Sequence, residues 1–129
     1  MALFPSRGRL HYEGRKLVVE VDQQIVNFYR ALVPKYVRLN PQKYAAHISV
    51  VRKEDFDPAN WGRHEGEIVD FVYENKIHHG QVYYWLNAFS NRLEEIRVEL
   101  ELPINSEYIR PPDSYEKVFH ITLGNVKNL

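Results

Sequence analysis

Two short segments of the sequence carry a histidine, an apolar residue and a hydroxyl residue in the same order. They are Ala46-His47-Ile48-Ser49-Val50-Val51 and Phe119-His120-Ile121-Thr122-Leu123. Their apolar residues favour strands, and side chains alternate between the two faces of a strand. His47 and Ser49 therefore share one face, as do His120 and Thr122, and the apolar residues are left for the core. If the two strands are neighbours, two imidazoles and two hydroxyls converge on one cleft.

This set of side chains suits the cleavage of a phosphodiester. The reaction needs a base for the attacking oxygen and an acid for the leaving oxygen, and histidine serves as either near neutral pH. Hydroxyl groups donate hydrogen bonds to the non-bridging oxygens, where the charge must be held. Two histidines on opposite sides of the phosphorus permit in-line displacement without a metal, since phosphoryl transfer depends mostly on positioning and electrostatics.

The rest of the chain predicts the elements that must hold these two strands. Residues 9–12 and 16–21 predict a β-hairpin, and Asp22 is the expected cap of a helix over 23–32. Ser90 is the expected cap of a second helix ending near residue 100, although alternation over 98–102 also permits a strand. Further strands are predicted at 46–52, 67–73, 77–79, 81–89 and 117–123. This order of strands and helices predicts an α+β fold with a mainly antiparallel sheet and two main helices.

Length and composition limit the classes of protein to consider. The 129 residues predict a single domain, 1–129, and 17 basic against 17 acidic residues argue against a polybasic nucleic-acid binder without excluding a local basic pocket. The absence of cysteine excludes a disulfide framework, a thiolate zinc site and a cysteine nucleophile. The sequence has neither an apolar run of the ~20 residues that span a bilayer nor a signal-peptide pattern. We therefore expect a cytoplasmic protein with no membrane partner.

The paired motifs resemble those of the 2H phosphoesterase superfamily, which has two His-x-Ser/Thr motifs in strands of a pseudo-symmetric fold. The resemblance runs from the hairpin near Arg9 to Val126, although its specific part is the two motifs and the helix before the second one. It implies a compact fold of this type, His47 and His120 as catalytic acid and base, Ser49 and Thr122 as phosphate ligands, and no metal or other cofactor. The chain is short for this family, which implies a trimmed second lobe, and Ser49 stands where threonine is frequent.

The resemblance implies a phosphodiesterase and leaves several substrates open. They are RNA ends with a 2′,3′-cyclic phosphate, 2′,5′-linked or cyclic oligonucleotides, and small cyclic phosphates. Zero net charge and a short chain favour a nucleotide or short oligonucleotide over long RNA. One alternative is an anti-defence hydrolase that degrades cyclic oligonucleotide immune signals. Others are a nucleotide- or RNA-binding module without catalysis, and a structural domain in which the motifs are coincidental.

A further set of side chains is expected to contact the substrate by stacking or by charge. It consists of Tyr12, Tyr44, Arg52, Trp85, Tyr115 and Lys117. Core packing is the alternative role for each ring, and exposure to solvent is the alternative for each cation. Arg52 points away from His47 in a regular strand, so it reaches the cleft only at a strand end or bulge. His78 and His79 are adjacent strand residues that point to opposite faces, so we expect no metal site there.

Overall fold

Seven strands and two α-helices follow one another in the predicted order. The computed structural model describes residues 2–127, in which the elements are β1 (Leu3–Glu13), β2 (Lys16–Glu20), α1 (Gln23–Leu32), β3 (His47–Val51), β4 (Ile68–Glu74), β5 (His78–His79), β6 (Tyr83–Phe89), α2 (Asn91–Glu99) and β7 (Phe119–Asn125). The prediction of an α+β fold with two helices and a mainly antiparallel sheet is confirmed. No helix within residues 2–127 has the length and apolar character needed to cross a bilayer.

The helix caps explain where the two helices begin. The side chain of Asp22 accepts a hydrogen bond from the Gln24 amide at the start of α1. The Ser90 hydroxyl accepts one from the Leu93 amide at the start of α2. Each cap satisfies an amide that has no partner within the helix. Helix α2 continues to Glu99, so the alternative of a strand over residues 98–102 is wrong.

The strands form an antiparallel sheet that closes into a six-stranded barrel. Its order is β4-β1-β2-β3-β7-β6, and pairing between β4 and β6 closes the ring, while β5 adds to β6. Closure leaves no long unpaired edge among these six strands. Apolar side chains from one face of β3 and β7, including Ile48 and Ile121, are fully buried in the hydrophobic core. The opposite face of the same two strands is therefore free to carry polar side chains.

The two halves of the chain have equivalent pairings. In the first half, β1 pairs with β2 and β2 with β3; in the second, β4 pairs with β6 and β6 with β7. Two further pairings join equivalent strands, β1 to β4 and β3 to β7. A helix precedes the last strand of each half. The halves are thus related by a pseudo-twofold arrangement, with the two histidine strands side by side where the halves meet.

Candidate active site

The two histidine strands, β3 and β7, are antiparallel neighbours in the barrel. Their register sets Ile48 opposite Ile121. This alignment places His47 across from Thr122 and Ser49 across from His120, with all four on the face away from the core. Directly opposite residues typically have Cβ atoms about 4.5–5.5 Å apart, and diagonal neighbours such as His47 and His120 are about 7–8 Å apart. The two imidazoles and two hydroxyls therefore converge, as the sequence pattern predicts for neighbouring strands. All four side chains line one cavity of about 490 Å³, called here the two-histidine cavity.

Backbone carbonyls orient both imidazoles in the same way. Nδ1 of His47 lies 2.8 Å from the Ala45 carbonyl oxygen, and Nδ1 of His120 lies 3.1 Å from that of Ile109. A carbonyl oxygen only accepts, so Nδ1 carries the hydrogen and donates it in each ring. The nitrogen left for chemistry is Nε2 in both, with a lone pair in the neutral ring and a proton to give in the charged one.

The two histidines differ in their access to water. His120 is 8 % exposed, whereas His47 is half-buried. Burial, opposed by the hydrogen bond to the Ile109 carbonyl and assisted by the neighbouring His47 and Arg52, lowers the pKa of His120 to about 4. His120 is therefore neutral at pH 7 and its Nε2 is ready to accept a proton.

Burial of a neutral His120 predicts that acid destabilises the fold. In the unfolded chain its pKa returns to ~6.5, so below that pH the unfolded state binds a proton that the native state does not. Stability is therefore lost as the pH falls from about 6.5 to about 4, by about 3 kcal/mol from this group. Urea unfolding at pH 7 and pH 4.5 measures the loss, and the His120→Gln variant should lose less. An equal loss in both proteins would contradict this assignment.

Equivalent β-bulges bring two more polar side chains to the cavity. The register between β2 and β3 leaves Val50 as an extra residue, and that between β6 and β7 leaves Leu123 as one. Each extra residue shifts the alternation of the side chains that follow it. Arg52 lies five residues after His47, and Asn125 lies five residues after His120. Both therefore line the two-histidine cavity. The bulge that Arg52 needed to reach this face is present, and Arg52 lines the cavity.

Two arginines hold these bulges in place. Arg30 in α1 donates to the Leu123 carbonyl at 2.8 Å, and Arg97 in α2 donates to the Val50 carbonyl at 2.7 Å. Each helix thus binds the bulge of the histidine strand in the other half of the chain. A bulge leaves backbone groups without ladder partners, and a guanidinium satisfies them in a fixed geometry. These hydrogen bonds therefore connect the two halves of the chain at the strands that carry the motifs.

The two-histidine cavity is strongly cationic although the chain has no net charge. Its lining includes Lys16, Lys43, Arg52 and Lys127 and, among the described residues, no aspartate or glutamate. The Lys16 ammonium lies 4.9 Å from the centre of the Tyr44 ring. Lys16 is the first residue of β2, and Lys43 and Lys127 lie outside the strands, so no periodic pattern singles these lysines out in the sequence.

A second ammonium group lies over an aromatic ring on the other side of the two-histidine cavity. Lys127 lies 5.0 Å from the centre of the Tyr83 ring, and both residues line the cavity. Tyr83 is in β6, opposite Asn125 of β7. Cation–π contacts of this kind hold a flexible lysine near a fixed position. Each rim of the cavity therefore presents positive charge beside a tyrosine.

Some of the expected substrate contacts lie elsewhere. Tyr44 lines the cavity as expected. Trp85 does not, since it is 3 % exposed and stacks on His78 with ring centres 5.9 Å apart. Tyr12 packs on Trp61 in a separate aromatic group, with ring centres 4.6 Å apart. Core and loop packing, the alternative role considered for rings, is the observed one for Trp85 and Tyr12.

The two expected contacts before β7 are also outside the two-histidine cavity. Lys117 is exposed and is not among its lining residues. Tyr115 is 95 % exposed and lines an adjacent depression instead. The segment before β7 runs across β6 rather than along the motif strands, since Glu116 accepts a hydrogen bond from Asn87. This path carries Tyr115 and Lys117 away from His120.

Two other kinds of site were considered in the described residues, a metal site and a larger depression. Within residues 2–127, no three His, Asp or Glu side chains gather as metal ligands. A larger depression of about 760 Å³ lies between β1, β4 and the start of α2. It is lined by Arg7, Asp70 and Arg92 among others and contains no histidine. The two-histidine cavity is smaller, but it brings two imidazoles together with two hydroxyl side chains and several cations.

A scan of protein-family models and searches of curated proteins and of solved structures give no match to this chain. The chemistry assigned to the cavity therefore depends on its own residues and geometry.

Proposed function

We propose that this protein is a metal-independent phosphodiesterase of the 2H phosphoesterase type, acting on a nucleotide, a short oligonucleotide or an RNA end. One observation carries the proposal: two histidines with free Nε2 atoms and two hydroxyl residues line one cationic cavity. The pseudo-twofold relation of the halves supports the same family. A binding module needs the cations and hydroxyls, but it has no use for a buried neutral histidine, which costs stability in acid.

Each polar group has a defined role in the proposed reaction. Arg52 and the hydroxyls of Ser49 and Thr122 bind the non-bridging oxygens of the phosphate. Nε2 of His120 takes the proton of the attacking hydroxyl or water as the new O–P bond forms. The bond from phosphorus to the leaving oxygen breaks, and protonated His47 gives that oxygen its Nε2 proton. Exchange with water then returns both histidines to their starting states.

The charge of the cavity indicates the class of substrate. A phosphodiester carries a single negative charge, whereas Lys16, Lys43, Arg52 and Lys127 supply four positive ones. Charges of one sign without nearby carboxylates favour a ligand with several phosphates. An oligonucleotide of a few residues, linear or cyclic, fits this balance better than a cyclic mononucleotide. A cyclic oligonucleotide immune signal belongs to this class, so an anti-defence role is the second candidate.

A substrate panel tests the proposal. We would incubate the protein in EDTA with 2′,3′-cyclic nucleotides, 2′,5′-linked oligoadenylate, and cyclic di- and trinucleotides, and identify products by mass spectrometry. We expect cleavage that persists in EDTA, and the position of the product phosphate separates RNA-end processing from signal degradation. Activity that EDTA abolishes and added metal restores would contradict metal independence. Binding of panel members without any cleavage would point to a binding module.

The acid–base pair predicts a bell-shaped dependence of kcat/KM on pH. His120 must be neutral to act as base, and its low pKa of about 4 places the acid limb near pH 4. The alkaline limb follows the loss of the proton from the acid partner, so the two limbs belong to the pair. Initial rates from pH 3.5 to 9.5 at subsaturating substrate measure the profile. A rate without either limb across this range would contradict the proposed pair.

A further inference from the structure

A second depression adjoins the two-histidine cavity. Its volume is about 470 Å³, and Pro112 lines both spaces. It lies between the end of β5 and the segment that precedes β7, so a ligand leaving the two-histidine cavity over Pro112 enters it. The proposed reaction at the histidines makes no use of this space.

The second depression combines aromatic surface with positive charge. The His79 ring is stacked on Tyr84 with ring centres 5.0 Å apart and planes only 18° from parallel, and the Tyr115 side chain is 95 % exposed. Arg110 lines the same space and has no ion-pair partner among residues 2–127. Flat rings stack on nucleobases and a guanidinium binds phosphate, a combination typical of single-stranded nucleic-acid sites.

The lining also contains one carboxylate, that of Asp113, which backbone amides hold in place. Oδ2 of Asp113 accepts hydrogen bonds from the amides of Val82 and Tyr83, at 2.8 and 2.7 Å. These bonds fasten the loop to the start of β6. A Cβ atom at Gly80 would collide with the Asp113 side chain, so the glycine permits this close approach. The depression is therefore built into the fold before any ligand arrives.

We propose that this second depression binds the nucleotide one position beyond the two that flank the scissile phosphodiester, with its phosphate on Arg110 and its base against Tyr115 or His79. The inference rests on the proposed function, and it makes an oligonucleotide of at least three residues the preferred ligand. With the scissile phosphate at the histidines and a second phosphate at Arg110, both phosphates lie near cations.

Binding measured against ligand length tests this site. The probes are fluorescently labelled 2′,5′-linked oligoadenylates with two, three and four residues and phosphorothioate linkages that resist cleavage, titrated by anisotropy. We expect the third residue to strengthen binding about tenfold in the wild type, in line with ~1–3 kcal/mol for a stacked base. Arg110→Gln and Tyr115→Ala should remove most of this increment and leave binding of the dinucleotide unchanged. Arg7→Gln is the matched control, since it removes an exposed arginine on β1, three strands from β7 around the barrel.

The outcomes separate the second depression from the catalytic proposal. Equal length increments in the wild type and in both variants would overturn the subsite. Failure of all the oligoadenylates to bind would also overturn it. If any other member of the substrate panel is still cleaved in that case, the proposed function stands; if none is cleaved, both proposals fail. Amide chemical shifts of Gly80, Gln81 and Ser114 that move only with the trinucleotide would support the subsite directly.

Discussion

Replacing either His47 or His120 by alanine is expected to lower kcat by about 10²–10⁴-fold, the usual contribution of a positioned acid or base. Nε2 is the nitrogen of each ring that no backbone carbonyl holds, so each substitution removes the atom that moves a proton. Loss of the base stops activation of the attacking oxygen, and loss of the acid leaves the departing oxygen unprotonated. Single-turnover rates on the best member of the substrate panel measure both effects.

The double alanine variant should lie within about tenfold of either single variant, because residues that act as a unit are not additive. His11→Ala is the matched control. His11 lies on β1, pairs with Glu65 and does not line the two-histidine cavity. Its kcat should equal that of the wild type, and far-ultraviolet circular dichroism should be unchanged in all the variants. Retention of wild-type kcat in the His47→Ala protein would remove that histidine from the mechanism.

Local patterns were enough to predict the elements and the shared face of each motif. The hairpin, both helix caps and the alternation around His47 and His120 depend on residues close in sequence, and these features are observed. The pairing of β3 with β7 depends on how the two halves meet, which no local pattern contains. The sequence therefore predicts a shared cleft only if the two histidine strands are neighbours, and it does not show that they are.

The remaining parts of the site depend on long-range packing. Arg52 reaches the cavity because Val50 forms a bulge, and nothing in the Val50-Val51 pair distinguishes a bulge from a regular strand. Trp85 shares a strand with Tyr83, yet it is covered and Tyr83 is not, because the segment before β7 crosses β6. A period-2 pattern assigns side chains to a face of the sheet but not to covered or open parts of that face.

Replacing Arg97 by alanine is expected to destabilise the fold by about 3–5 kcal/mol, the usual cost of removing one partner of a buried ion pair. Arg97 is fully buried and binds the Glu54 carboxylate through both terminal nitrogens, at 2.8 and 2.7 Å. It also donates to the backbone carbonyls of Val50 and Pro103. The alanine variant leaves a buried carboxylate without a counter-ion and these carbonyls without their donor.

Urea unfolding of the Arg97 variants measures the effect against a matched control. Arg7→Ala breaks a largely exposed pair with Asp70 and should change the free energy of unfolding by less than about 0.5 kcal/mol. Arg97→Lys keeps the charge but cannot bind both carboxylate oxygens and Val50 at once, so it should fold with an intermediate loss. Because Val50 is the bulge that directs Arg52 to the cavity, Arg97→Lys should also lower kcat/KM for the anionic substrate. A lysine variant that is destabilised but keeps full kcat/KM would show that Arg97 stabilises the fold without positioning Arg52.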